Sequence, residues 1–301
     1  MSLAQVAASF RGAMLPLPLF DSPALPSFNV LDLAGALRLS VAIRQLKRLN
    51  GGPAGEPKGA WMYDLWLTLI VVFGGEIMAS VLLVTPPSFM LSPAVTLLFA
   101  ASHTVANFLP FIPPISLETE LPLSLLDAAT RSLLVCDFAT ALVSSNTNEA
   151  LRNSPAALLI TSTLLGNGGF FVVNTFSMLS PTGWALAVPP ELKPWGWTIM
   201  DLWVAPLCTA MYAITTHAQP VWAQLHAILL SQLRRFHVLS TGHRATPVID
   251  VWTKEDGRAL CFIVLVICFS LRALTKFSGA VALARLSLRR MRRQGRDAFR
   301  W

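Results

Sequence analysis

Charge is what this chain of 301 residues lacks most. Lys, Arg, Asp and Glu make up 13% of it and apolar residues 54%, whereas an ordinary soluble domain is about a quarter charged. A water-covered globular surface cannot be built from that composition. Metal and redox chemistry are also thinly provided for. The four cysteines, Cys136, Cys208, Cys261 and Cys268, fall inside apolar runs and none stands at metal-ligand spacing from a histidine. They read as packing residues rather than zinc ligands or a disulfide framework. No nucleophile–base pair and no phosphate-binding loop can be found. The expectation is a protein that is not an enzyme and carries no cofactor, apart from bound anionic lipid. The start lacks the basic segment and compact apolar core of a signal peptide. Residues 1–27, with several prolines and little charge, are expected to form a flexible leader.

Long apolar runs are abundant. Crossing a hydrocarbon core takes about 20 residues of helix, and runs of that size lie at 61–84, 93–112, 123–143, 156–179, 197–216 and 257–274. A weaker one, 28–46, carries Asp32 and Arg38. The expected fold class is an all-α polytopic membrane protein with seven transmembrane helices, in a domain spanning 28–276.

Basic residues set the orientation. Arg44, Lys47, Arg48 and Lys58 follow the first span, whereas "VTPPSFMLS" after the second has no basic residue. The segment 277–301 is rich in arginine, with Arg289, Arg290, Arg292 and Arg293 close together. After a membrane helix such a tail touches anionic lipid on the cytoplasmic side rather than nucleic acid. Seven spans then put the N-terminus on the lumenal or external side. One loop objects: 218–255 falls outside by this count yet holds Arg234, Arg235, Arg244 and Lys254. Within it Trp222, Leu225, Leu229, Leu233 and Phe236 recur at helical spacing. This fits an amphipathic helix lying on the membrane surface or packed on the protein's own loops. An eighth span would have to bury His226 and two arginines.

The stretch "LLGNGGFFVVNTF" is a poor choice for a plain lipid-facing helix. Gly166, Gly168 and Gly169 stand mid-way through the fifth span, as Gly74 and Gly75 do in the second. Those positions are equivalent if spans one to three and four to six are repeats, which an odd number of crossings inserts in opposite orientation. Glycine-interrupted helices at matching places in two inverted halves point to a site at the bilayer midplane. The alternative is close packing between helices. The glycines have polar neighbours. Glu76 adjoins one pair, and an ionisable group at mid-membrane is a functional candidate. Asn167 and Asn174 are seven residues apart, on one face of the other helix. In the fourth span Thr130, Asp137 and Ser144 form a seven-residue stripe, and Asp127 and Arg131 can neutralise each other one turn apart. His103 and Asn107 share a face of the third span. Asp137 and Asp201 suit either pore lining or interhelical bonding.

These motifs resemble the trimeric intracellular cation (TRIC) channels over residues 28–276. "FNVLDLAGAL" is similar to that family's opening helix, with Asp32-Leu33-Ala34 as its acidic signature. "FGGEIMASVLLVTP" is similar to its glycine-bearing second helix. "GNGGFFVVNTF" is similar to its fifth, with Gly166, Gly168 and Asn174 in the family's glycine and asparagine places. The resemblance implies a 3+3 inverted repeat plus one helix and a homotrimer with a pore in each subunit. It also implies potassium or other monovalent cations as cargo, and residence in the endoplasmic reticulum or nuclear envelope. Departures are clear and fit a distant, fungal-like branch. Leu165 stands where the family has lysine, the insert 218–255 is additional, and the basic phosphoinositide motif of the fourth helix is reduced to Asp127 and Arg131. Lipid contact is then expected at Arg131 and mainly at the tail. Two other classes compete: a SWEET-like or other small-solute carrier, and a non-conducting membrane scaffold.

Overall fold

A computed structural model describes residues 2–15, 17, 28–51, 61–193, 199–235 and 251–298, and the side chains of these up to 277, apart from 233–235. The described residues form helices and no strand. In chain order they are α1 (Leu3–Ala13), α2 (Val30–Asn50), α3 (Trp61–Leu83), α4 (Ser88–Leu91), α5 (Ala94–Phe108) and α6 (Leu117–Ser132). A π-turn (Leu133–Phe138) leads into α7 (Ala139–Ser144), followed by α8 (Glu149–Arg152), α9 (Pro155–Thr175), α10 (Ile199–Thr216), α11 (Pro220–Arg235) and α12 (Lys254–Ala298).

Local chemistry accounts for many of the boundaries. Asn29 and Asp32 form a reciprocal capping box at the start of α2, with hydrogen bonds of 2.9 and 3.1 Å. Asp32 thereby accepts the Asn29 N–H and donates its own to the Asn29 amide oxygen, so two orphan donors are satisfied. Ser154 caps α9, whose first residue is Pro155, where the missing N–H costs nothing. At their far ends α3, α9 and α10 close alike. Val84, Ser177 and His217 adopt left-handed φ values of 54°, 48° and 55°. The next N–H reaches back to Ser80 O, Val173 O and Ala213 O respectively. This is the Schellman arrangement, met here without glycine.

Among the described residues, four helices are long and apolar enough to cross a membrane: α3, α9, α10 and the Lys254–Phe277 part of α12. α5 is apolar but shorter, at 15 residues. α2 and the α6–α7 unit carry charges that keep them off that criterion, and the fold turns those charges inward. The middle helices of the two expected halves, α3 and α9, pack directly on each other. α6 lies on α12, α2 on α5, and α10 between α9 and α12. One core joins the π-turn, α10 and α12 through Val135, Cys136, Val204, Cys208, Leu265 and Phe269. Another joins α2, α3 and α9 through Ile43, Leu67, Val71 and Val173.

Several expectations change. The first half of the leader is not loose. α1 opens with a Ser2–Gln5 capping box and packs Val6, Ala7 and Phe10 against Leu31, Ala129 and Ala259. Arg11 meets Glu255 at 2.9 Å. α11 packs on the bundle through Trp222, which shares a core with Leu83, Val143, Leu158 and Ala213, while Ile228 and Leu229 stay exposed. The backbone of α12 continues into the expected tail as far as Ala298. The side chains of Arg289, Arg290, Arg292 and Arg293, and the residues Lys58 and 236–250, lie outside the described part.

Candidate functional site

The glycines do not break their helices. α3 and α9 are continuous α-helix through Gly74–Gly75 and Gly166–Gly169, so the expected interruption is corrected to a crossing. Glycine here removes side chains so that two backbones can touch. A β-carbon added at Gly75 would run into the Leu164 carbonyl, and one at Gly169 into the Val71 carbonyl. One at Gly74 would come within 3.1 Å of Gly169 Cα, and one at Gly168 within 2.7 Å of Gly75 Cα. Four of the five glycines therefore meet at one point. Gly166 is elsewhere: its added β-carbon would face Ala205 of α10 at 2.7 Å.

The polar neighbours divide in the same way. Glu76 is buried, and its carboxylate accepts the Ser88 backbone N–H and, at 3.1 Å, the Ser88 hydroxyl. It fastens the turn after α3. Asn167 is buried with Nδ2 lacking a partner. Asn174 donates through Nδ2 to Oε1 of Glu191 at 2.8 Å. Glu191 itself sits in a proline-rich loop and carried no signal in the sequence beyond its acidity.

The expected stripe of Thr130, Asp137 and Ser144 disperses. Thr130 bonds back to its own helix, Asp137 lies on the π-turn, and Ser144 is exposed. Thr209 of α10 donates to Val135 O at 2.9 Å, which satisfies a carbonyl of the widened turn. Asp137 pairs with Arg258 at 3.0 Å and accepts from Tyr212 at 3.4 Å. His103 is held inside the bundle. Thr68 gives its one hydroxyl proton to Asp64 O, so in the 3.1 Å contact the His103 Nδ1–H must donate to Thr68. Nearby, Lys47 and Asp64 form a buried ion pair at 2.6 Å.

The largest departure from the sequence reading concerns Arg131. The sequence pairs it with Asp127 alone, and the fold adds two further arginines and a second aspartate. Asp127 lies 3.6 Å from Arg131, 3.1 Å from Arg38 of α2 and 3.9 Å from Arg272 of α12. Arg272 reaches both carboxylate oxygens of Asp201 at 2.6 Å. Arg131 also donates to the Gly166 carbonyl, and both Arg131 and Arg272 stack on Phe269. Three arginines and two aspartates thus tie α2, α6, α10 and α12 together with one positive charge in excess. Asp201 belongs to this interhelical bonding. The sequence offered a hint: Arg272 is the one charge inside the apolar run 259–274. Among the described residues, no three His, Cys, Asp or Glu side chains converge in a way that would hold a metal.

No protein-family model matches the chain, and no curated protein matches it. A solved structure does: a TRIC counter-ion channel, from work on the structural basis of these channels' activity in calcium release. It superposes with a TM-score of 0.51 at 16% identity, over 91% of this chain and 99% of the other. The likeness shows the fold. The chain is a multi-pass helical membrane protein with the architecture of the TRIC counter-ion channels.

Proposed function

We propose that the chain is a TRIC-type channel, a distant member of that family, passing potassium or another monovalent cation across an endoplasmic-reticulum or nuclear-envelope membrane to balance charge. In this reading seven helices form two inverted halves plus one, the N-terminus is lumenal, and the working unit is a homotrimer with a pore in each subunit. The observation that carries it is the α3–α9 crossing. The middle helices of the two halves meet through glycine at matched positions, with backbone on backbone. Such a seam can part without breaking an ion pair, and the parted faces would present peptide groups, which suit a hydrated ion. In the arrangement described the seam is closed. Glu76 and Asn174 stand on the same two helices, each tied to a neighbouring turn. Lipid contact is assigned mainly to the tail arginines. Arg131 is already engaged by Asp127 and the Gly166 carbonyl, so a headgroup there would compete with existing partners.

The test is a bilayer recording of the purified protein in asymmetric potassium chloride. Discrete current steps reversing near the potassium potential are expected. Reversal near the chloride potential overturns the cation assignment, and saturable solute uptake without conductance would establish a carrier instead.

A further inference from the structure

The loop from α9 to α10 folds one 3-10 turn, Pro190–Leu192, and packs it against α10. Leu192 N–H to Pro189 O and Lys193 N–H to Pro190 O, at 3.0 and 3.2 Å, hold the turn. It directs Glu191 inward, where the residue is only 3% exposed. A carboxylate at that depth ordinarily has a cation or several donors beside it, because burying an unpaired charge is costly. Among the described residues Glu191 has a single neutral donor, Asn174. Its Oε2 has no partner. No Lys, Arg or His nitrogen among the described residues lies within 4.0 Å of it. The neighbouring Lys193 is exposed.

A cation resting on Oε2 would complete this arrangement. Asn174 uses only its Nδ2 in the contact with Glu191, which leaves the amide oxygen as a second hard ligand. The site also lies at the C-terminal end of α9, where the helix dipole favours positive charge. One carboxylate and one amide suit a single positive charge, whereas calcium takes six to eight oxygens, commonly from several carboxylates.

We propose that Glu191 and Asn174 form a binding site for a monovalent alkali cation at the C-terminal end of α9, an ion stop that deepens the cation-channel reading and rests on it for its purpose. The unfolding midpoint of the full-length protein in detergent tests this, measured in potassium, rubidium or choline chloride at equal ionic strength. A ligand bound only by the folded state raises that midpoint. The expected result is a saturable rise in potassium and rubidium over choline, absent in Glu191→Gln. Should Glu191→Gln not fold, Glu191→Asp serves: it keeps the charge but draws the carboxylate back by one methylene, so the rise should need more potassium to saturate. Equal wild-type midpoints in potassium and choline overturn the site and leave Oε2 to an ordered water. A cation-dependent midpoint that survives Glu191→Gln overturns it too. Bilayer recordings of the same preparations separate this from the channel reading. Potassium-dependent stabilisation without current keeps the site and removes the pore, and cation current without stabilisation does the reverse.

Discussion

Two places where the helices meet are built on opposite principles. At the α3–α9 crossing nothing charged is involved and the contact is peptide against peptide, because Gly74, Gly75, Gly168 and Gly169 supply no side chains. At the junction of α2, α6, α10 and α12 the helices are held through charged side chains. Asp127 and Asp201 are shared among Arg38, Arg131 and Arg272, with Phe269 beneath two of the guanidiniums. The first contact is intolerant of volume but free of electrostatic commitment. The second tolerates some change of shape but no loss of charge, since each ion is buried against a specific partner. A protein that must open a path while keeping its frame would place movement at the first and rigidity at the second.

That contrast is most easily broken at Asp127. Its replacement by asparagine leaves three arginines facing one remaining aspartate. Removing one partner of a buried ion network costs about 3–5 kcal/mol. Asp127→Asn should therefore fail to yield a monodisperse folded protein by size exclusion, whereas the exposed Glu149→Gln should behave as wild type. Normal yield and stability for Asp127→Asn would mean that the network contributes no rigidity.

The crossing should respond more mildly to substitution and in a different observable. Gly169→Ala and Gly75→Ala must push the backbones apart, and overpacking of that kind costs about 1–3 kcal/mol. The folded protein should survive with altered conductance. Gly166→Ala crowds the Ala205 methyl on α10 and should disturb folding without the same change in conductance. Identical conductance in all three variants would reduce the crossing to packing. Glu76 sharpens the comparison further. Glu76→Gln keeps the shape of the Ser88 contact but weakens it by about 1 kcal/mol. If the charge also attracts cations, conductance falls most at low salt, where screening is weakest. An equal effect at low and high salt assigns Glu76 to the turn alone.

The smallest effect concerns the α10–α11 corner, outside the spans. His217 Nε2 and His226 Nδ1 are 2.8 Å apart, a contact that accommodates one hydrogen. Burial, and then the His217 imidazole, hold the His226 imidazole below its ordinary value, which is about 6.5. A depressed histidine value means that the unfolded chain takes up the proton first. The contribution to stability is therefore full above that ordinary value and is lost as pH falls below it. Amide exchange in 220–232 should quicken below about pH 6.5 and become pH-insensitive, beyond intrinsic rates, in His226→Gln. No acceleration at low pH would show that the corner holds without the pair.

Much of the fold could be read directly from local sequence. Apolar length marked α3, α9, α10 and the first half of α12, because the requirement to span hydrocarbon acts on consecutive residues. The glycines were visible as a pair of matched clusters, and of the two readings open to them, interruption or close packing, the backbone decided for packing. α1 was missed because eleven residues with two polar turns carry little periodic signal, and its stability comes from Phe10 meeting Phe262 at 4.9 Å. Asp201 was placed correctly among the options but its partner was not, since Arg272 is 71 residues away.

What the sequence by itself determined is therefore the membrane character, the main spans and the presence of small residues where two backbones could meet. The tertiary structure alone decided which charges neutralise one another and which stay unmatched. Asp127 is claimed by Arg38 from 89 positions upstream, while Glu191 is carried by a loop turn into the interior beside the Asn174 amide. Length, period and capping act over a few neighbouring residues and leave their mark there. Ion pairing in a low-dielectric interior depends on distance in space, which no local pattern records.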